Sequence, residues 1–313
     1  MVKILFFGTA SLSAAFLDNL YAAKHDIFCV TMPDKPASRG QKLSAPAVKI
    51  FAQNKGIPFI QPLKYDDCVF ETLKAFNADA AVAVAYGKLI PQRIFLLPKH
   101  KTFNIHFSLL PKYRGAAPVQ YALLNGETQT GVSSFYLEQT LDTGDIIIQK
   151  KMPIEPVDTA ETLFSKLVPL GIEIMNETLV LFQNGASFGK KQEGEPSYTH
   201  ILKKEDGLIN WSKSAAEILN MFRGFYPWPG TYCVVSKGKL TGKRIKIIEF
   251  KIIDDSSLNG ECGKIFSIEK NKGFSVLCAK GIILVTKIQP ENKPVMDAWN
   301  FIQGGLLSLN DYL

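Results

Sequence analysis

The sequence predicts an α/β protein: a doubly wound, mainly parallel sheet followed by a small C-terminal β-barrel. Three observations predict it. Short apolar runs alternate with helix-like stretches through the first half, the pattern of parallel strands joined by crossover helices. A polar, turn-rich stretch then intervenes, with Asn184-Gly185, Gly189-Lys190-Lys191 and Gly194-Glu195-Pro196 in quick succession. Beyond it, β-like runs are separated by Gly-Lys, Asp-Asp and Asn-Gly pairs, as in a small barrel or sandwich. An oligonucleotide-binding-type (OB-like) barrel fits that length, as do several other β folds. The domains expected on this reading are residues 1–189, a linker over 190–209, and residues 210–313.

Residues 2–7, Val2-Lys3-Ile4-Leu5-Phe6-Phe7, form an apolar run entering a glycine turn, and read as a buried parallel strand. Residues 28–31 and 80–85 read the same way, with helix-like stretches at 12–23, 47–54 and 67–76. A longer helix is expected over 159–183, capped by Asp158 or Thr159. A short helix near 215–222 precedes strands expected at 231–236, 244–253, 262–268, 274–279 and 282–288.

The chain has 313 residues, 46% of them hydrophobic and 21% charged, which is enough apolar material for two cored domains. No apolar run approaches the roughly 20 residues needed to cross a bilayer. The first residues lack the pattern of a cleaved signal, so a soluble, cytoplasmic protein is expected. Cys29, Cys68, Cys233, Cys262 and Cys278 are scattered, with no C-x-x-C pair, which argues for reduced thiols and against a zinc cluster. The net charge of +7 is uneven: residues 190–313 hold 18 Lys+Arg against 13 Asp+Glu. A basic later part suits a polyanion, though many ordinary domains carry as much.

The chemistry is expected around Thr102-Phe103-Asn104-Ile105-His106. On a strand, Asn104 and His106 share one face while Phe103 and Ile105 take the other. The loop Ser108-Leu109-Leu110-Pro111-Lys112-Tyr113-Arg114-Gly115 follows at the strand's carboxyl end, where open α/β sheets bind ligands. Between two further β-like runs, Leu141-Asp142-Thr143-Gly144-Asp145 forms a tight turn that can aim a carboxylate at the same cleft. A carboxylate beside a histidine fixes its tautomer, and an Asn amide can donate to a developing oxyanion. None of the three is a Ser, Cys or Lys nucleophile, so direct acyl transfer is the natural reaction. A strand histidine is more often simply packed or exposed, and Asp-Thr-Gly is a common turn, so spacing alone leaves both readings open.

These two stretches resemble the signature of enzymes that use 10-formyltetrahydrofolate, N-x-H-x-S-L-L-P followed later by L-D-x-G-D. The resemblance implies a formyltransferase-type, Rossmann-like first domain with Asn104, His106 and Asp142 serving the reaction, and no metal. Ala83-Val84-Ala85-Tyr86-Gly87-Lys88-Leu89-Ile90-Pro91 is similar to the family's pteridine-lining strand and loop. It implies folate contacts at Tyr86, Gly87, Lys88 and Leu89, and the signature loop implies more at Ser108, Leu109, Leu110 and Pro111. Residues 31–43 are similar to the loop with which methionyl-tRNA formyltransferases engage the acceptor stem. That likeness implies RNA contacts at Lys35, Arg39 and Lys42. Lys204-Glu205-Asp206-Gly207-Leu208-Ile209-Asn210-Trp211 and Arg223-Gly224-Phe225-Tyr226-Pro227-Trp228-Pro229-Gly230 look like the entry to those enzymes' C-terminal domain, with Asn210 where Asp is usual.

Initiator methionyl-tRNA and the folate are therefore the expected partners of a monomeric enzyme acting in translation initiation. An amino-sugar or nucleotide-sugar N-formyltransferase is the alternative, and a non-catalytic RNA-binding protein a third. Trp228 is expected as a packing anchor between its two prolines. Tyr113 and Arg114 either close the cleft or brace its loop.

Overall fold

The computed structural model describes residues 1–36, 43–185, 189–256 and 260–313. They divide into two compact units, one made of 1–118, 129–153 and 164–199, the other of 119–128, 154–163 and 200–313.

The first part of the chain runs β1 (Lys3–Gly8), α1 (Ser11–Ala22), β2 (Asp26–Val30), β3 (Lys35–Pro36), β4 (Leu43–Ser44), α2 (Ala47–Lys55), β5 (Phe59–Ile60), α3 (Asp67–Ala75), β6 (Ala80–Val84), α4 (Gln92–Phe95), β7 (Thr102–His106), β8 (Arg114–Gly115), α5 (Pro118–Leu124), β9 (Gln129–Tyr136), β10 (Ile146–Pro153), α6 (Ala160–Gln183) and β11 (Tyr198–Thr199). The first unit is built on a seven-stranded sheet of order β10-β9-β7-β6-β1-β2-β5. Strands β5, β2, β1, β6 and β7 are mutually parallel, and β9 and β10 complete the sheet antiparallel. Ile4, Leu5, Phe6 and Phe7 of β1 and all of β6 are buried on both faces, which is why these strands read as continuous apolar runs rather than alternating ones.

Local signals place the helices. The Asp66 carboxylate accepts from Val69 N at 3.0 Å at the start of α3. Gly56, at φ +68, stops α2. Thr159, one of the two expected caps, accepts from Thr162 N at the start of α6. Helices α2, α3 and α6 lie within a residue of their expected limits. Among the features that escaped the hydropathy pattern are α4, α5, the short strands β3, β4 and β5, and the two-residue ladder between β8 and β11, which pairs Arg114 with Tyr198 and Gly115 with Thr199. No helix among the described residues is long and apolar enough to cross a membrane.

The second unit centres on α7 (Ala215–Phe225), β12 (Thr231–Val234), β13 (Arg244–Asp254), β14 (Ile265–Glu269), β15 (Gly273–Leu277), β16 (Ile282–Pro290), β17 (Met296–Asp297) and α8 (Ala298–Gln303). Its antiparallel sheet runs β12-β13-β16-β15-β14, with β17 on β16. Residues 310–313 join the two edges: Tyr312 exchanges hydrogen bonds with Lys237 beyond β12, and Ile265 N donates to Asp311 O on β14. The sheet thereby closes on itself as a small barrel, through a final stretch too short and polar to read as a strand. Trp211, Ile245, Ile247, Phe274 and Val285 pack its core.

At the entry to this unit Asn210 Oδ1 accepts from Ser212 N at 3.0 Å, a contact an Asp would make equally well. Ser214 and Glu217 form a capping box at the start of α7. Trp228, expected as a packing anchor, leaves 53% of its surface exposed, because the following turn is held by backbone hydrogen bonding of Gly230 N to Phe225 O rather than by the indole.

Candidate active site

Strand β7 delivers two polar side chains to one face. On the other, the Phe103 ring meets Phe182 of α6 edge-on at 5.7 Å, so the period of two leaves Asn104 and His106 facing away from that helix. Asn104 is half-buried, and its side-chain amide has no hydrogen-bond partner among the described residues.

His106 is only 5% exposed and its ring has a fixed orientation. Nε2 lies 2.8 Å from the carbonyl oxygen of Tyr113, while the edge of Phe135 packs perpendicular to the imidazole at 6.3 Å. A carbonyl can only accept, so Nε2 carries the hydrogen and the neutral ring keeps its lone pair on Nδ1. Asp142 Oδ2 is 3.8 Å from Nδ1, within ion-pair range but beyond a hydrogen bond. The carboxylate was expected to fix the tautomer. The Tyr113 main chain does so instead, and a backbone carbonyl leaves no mark in a sequence.

Asp142 is 8% exposed, with its backbone at φ +55. Asp tolerates that left-handed conformation better than most residues. Its Oδ2 accepts from Gly115 N at 2.7 Å. Gly115 itself sits at φ +114, and a β-carbon there would collide with the Thr199 carbonyl oxygen across the β8–β11 ladder. The His106 ring and the Asp142 carboxylate thus meet from β7 and the β9–β10 connection, and Asn104 lies on the same face of β7 as His106.

The neighbouring expected residues fall into two groups. Gly87, at φ +83 with open space at its α-carbon, and Leu89, 76% exposed, lie on an open loop after β6. Lys88 is a strap: its ammonium donates to the carbonyls of Leu63 at 2.7 Å and Pro62 at 3.1 Å and lies over the Tyr65 ring. Tyr86 is buried, its hydroxyl 2.8 Å from that of Tyr65. Burial raises both phenols, Tyr65 well above its usual range, so the pair stays neutral. Ser108 and Leu110 are buried, and Pro111 with them. Ser108 Oγ donates to Lys112 O at 2.6 Å and Ser133 Oγ to Ser108 O at 2.7 Å, while Gln149 Nε2 donates to Leu110 O at 3.0 Å. Leu109 is half-buried. Lys35 is exposed on β3, and Arg39 and Lys42 lie outside the described residues. Among the described residues no group of three or more His, Cys, Asp and Glu side chains could hold a metal ion.

Two family models cover this architecture. A formyl transferase model matches residues 2–179, and a model of the formyl transferase C-terminal domain matches residues 201–306. The chain belongs to the formyl transferase family. This formyltransferase is 58% identical over 310 residues to a protein of Endomicrobium trichonymphae named methionyl-tRNA formyltransferase, with 99% of each chain covered. A namesake in Thermodesulfovibrio yellowstonii is 42% identical, covering 96% of this chain and 95% of that one. Among solved structures, an N-formyltransferase of Helicobacter canadensis, in complex with folinic acid and dTDP-3-aminofucose, superposes with a TM-score of 0.68. It is 22% identical and covers 93% of this chain and all of its own. HypX of Aquifex aeolicus, in complex with tetrahydrofolic acid, superposes at 0.64 with 16% identity, covering 99% of this chain and 48% of that one. At these identities the superpositions establish the shared fold.

Proposed function

We propose that this formyltransferase moves the formyl group of 10-formyltetrahydrofolate to the free amino group of methionine on initiator methionyl-tRNA, in the cytoplasm and as a monomer. The observation that carries this reading is the 58% identity, end to end, with a protein named for that reaction. Residues 1–189 would supply the chemistry, and the basic stretch 210–313 a surface for RNA phosphates.

The site residues divide the work. The Asn104 amide, with no partner of its own among the described residues, donates to the formyl oxygen as that oxygen gains charge. Asp142 Oδ2 is held by Gly115 N, and Oδ1 has no partner among the described residues, so the carboxylate keeps a free lone pair for a proton of the attacking amine. The His106 ring is anchored through Nε2. It exchanges its proton at Nδ1 and, once protonated, lowers the cost of the negative charge beside it. The proton taken from the amine is returned to N10 of the folate as the carbon–nitrogen bond to the donor breaks, so no net proton is consumed. Tyr86, Gly87, Lys88 and Leu89 frame the folate, with Lys88 bracing the loop from behind. Lys35, Arg39 and Lys42 would grip the acceptor stem.

Purified protein, 10-formyltetrahydrofolate and charged initiator tRNA should give formyl-methionyl-tRNA, whereas a nucleotide-linked amino sugar should remain unmodified. Efficient formylation of the sugar with none of the tRNA would overturn the proposal.

A further inference from the structure

We propose that residues 190–199 are a positioning strap for the reaction centre, with Gln192 its decisive residue. This rests on the roles given above to Asp142 and His106. The segment reads as a polar linker, yet it hydrogen-bonds to both loops that carry the chemistry. At one end Lys190 exchanges backbone hydrogen bonds with Ile146 at 2.8 and 2.9 Å, just after the Asp142 turn. At the other, Ser197 Oγ accepts from Tyr113 N at 2.8 Å, Ser197 O accepts from Arg114 N at 2.8 Å, and Thr199 Oγ1 donates to Arg114 O at 3.1 Å. Tyr113 is the residue whose carbonyl sets the His106 tautomer. Gly115, two residues on, donates to the Asp142 carboxylate.

Gln192 ties these ends together. Its Nε2 donates to Asp142 O and to Gly144 O, both at 2.8 Å, which uses both amide hydrogens on the turn that holds Asp142 at φ +55. Its Oε1 accepts from Arg114 Nη2 at 2.7 Å and Nε at 3.1 Å. One side chain therefore spans from the loop after β7 to the turn between β9 and β10, and no other amino acid of its size offers two donors and a double acceptor at once. Arg114 is further steadied by Tyr198, whose hydroxyl lies 3.3 Å from Nη1. Asp142 sits at φ +55, and the two hydrogen bonds from Gln192 hold the carbonyls on either side of that turn in place. Gln192 touches no reacting atom on this account; it acts through Asp142.

The test compares Gln192→Ala and Gln192→Glu with the native enzyme in the formylation assay. Glu keeps an acceptor for Arg114 but has no hydrogens for the two carbonyls. Both variants are expected to lose kcat by about 10–100-fold, the scale of a displacement of order 1 Å at a reacting group, with KM for 10-formyltetrahydrofolate and the melting temperature nearly unchanged. The pH profile of kcat should also shift, since Asp142 and His106 lose their fixed relation; a purely structural role would leave that profile in place. Native-like kcat in either variant, or loss confined to KM or to folding, overturns the strap. Asp142→Asn assayed alongside separates the two levels. If it is inactive while Gln192→Ala is native-like, only the strap fails; if it is itself native-like, the strap and the site reading beneath it fall together.

Discussion

Replacing Asn104 by Ala tests the site most directly, because its effects on stability and on rate should diverge. The amide has no hydrogen-bond partner among the described residues, so truncation strands no protein donor or acceptor. Asn104 is half-buried on β7 between Phe103 and Ile105, which are buried on the opposite face and keep their packing. Without a lost hydrogen bond or a closed cavity, the stability cost should stay below about 1 kcal/mol, roughly 2–4 °C in melting temperature for a unit of this size. The same amide, as donor to an oxygen that gains charge in the transition state, should be worth about 2.7–4 kcal/mol, or roughly 10²–10³ in kcat. Steady-state formylation of charged initiator tRNA and a thermal melt of the same preparation measure both quantities. A variant that melts like the native protein yet turns over within about threefold of it would refute the assignment of Asn104 as oxyanion donor.

Three further outcomes are expected. Gly115→Ala places a side chain at φ +114 against the Thr199 carbonyl and should cost about 1–3 kcal/mol in urea denaturation, with kcat falling as the N–H that holds Asp142 moves; unchanged values for both would contradict the geometry. With a thiol-specific chromogen at pH 8, exposed Cys68 should react at once. Cys29, Cys233 and Cys278, pushed up to about 12 by burial, should wait for denaturant, and a prompt reaction of all five thiols would contradict that burial. The Ser214 N–H, the Lys213 ammonium and the Ser214 hydroxyl hold the Glu217 carboxyl down to about 2. Its folded pKa lies below the unfolded one, so its contribution is present above pH 4.5 and is lost as the pH falls toward 2. Glu217→Gln should therefore melt earlier than native protein at pH 7, with the gap narrower at pH 3; an equal gap at both would exclude an ionic cap.

Much of the fold is legible in the sequence because burial dictates residue type. Residues 4–7 and Ala80–Val84, covered on both faces, must be apolar throughout, and Asp66, Gly56 and Thr159 mark helix ends by local chemistry that needs no distant partner. The alternation of Asn104 and His106 on β7, and the Asp-Thr-Gly turn at Asp142, are local as well. The closure of the C-terminal barrel by Asn310–Leu313 was not legible, since pairing there depends on two edges more than 40 residues away in the chain.

The sequence by itself determined an α/β unit followed by a small β unit, and named an imidazole and a carboxylate that lie 3.8 Å apart, with an amide on the same strand face as the imidazole. Tertiary structure alone decided how they are held. The Tyr113 carbonyl chooses the His106 tautomer, Gly115 N orients Asp142, and Gln192 spans from Arg114 on that same loop to the turn that carries Asp142. Backbone carbonyls and amides are the same at every position, so which of them meets a given side chain is set only when separate stretches of chain come together.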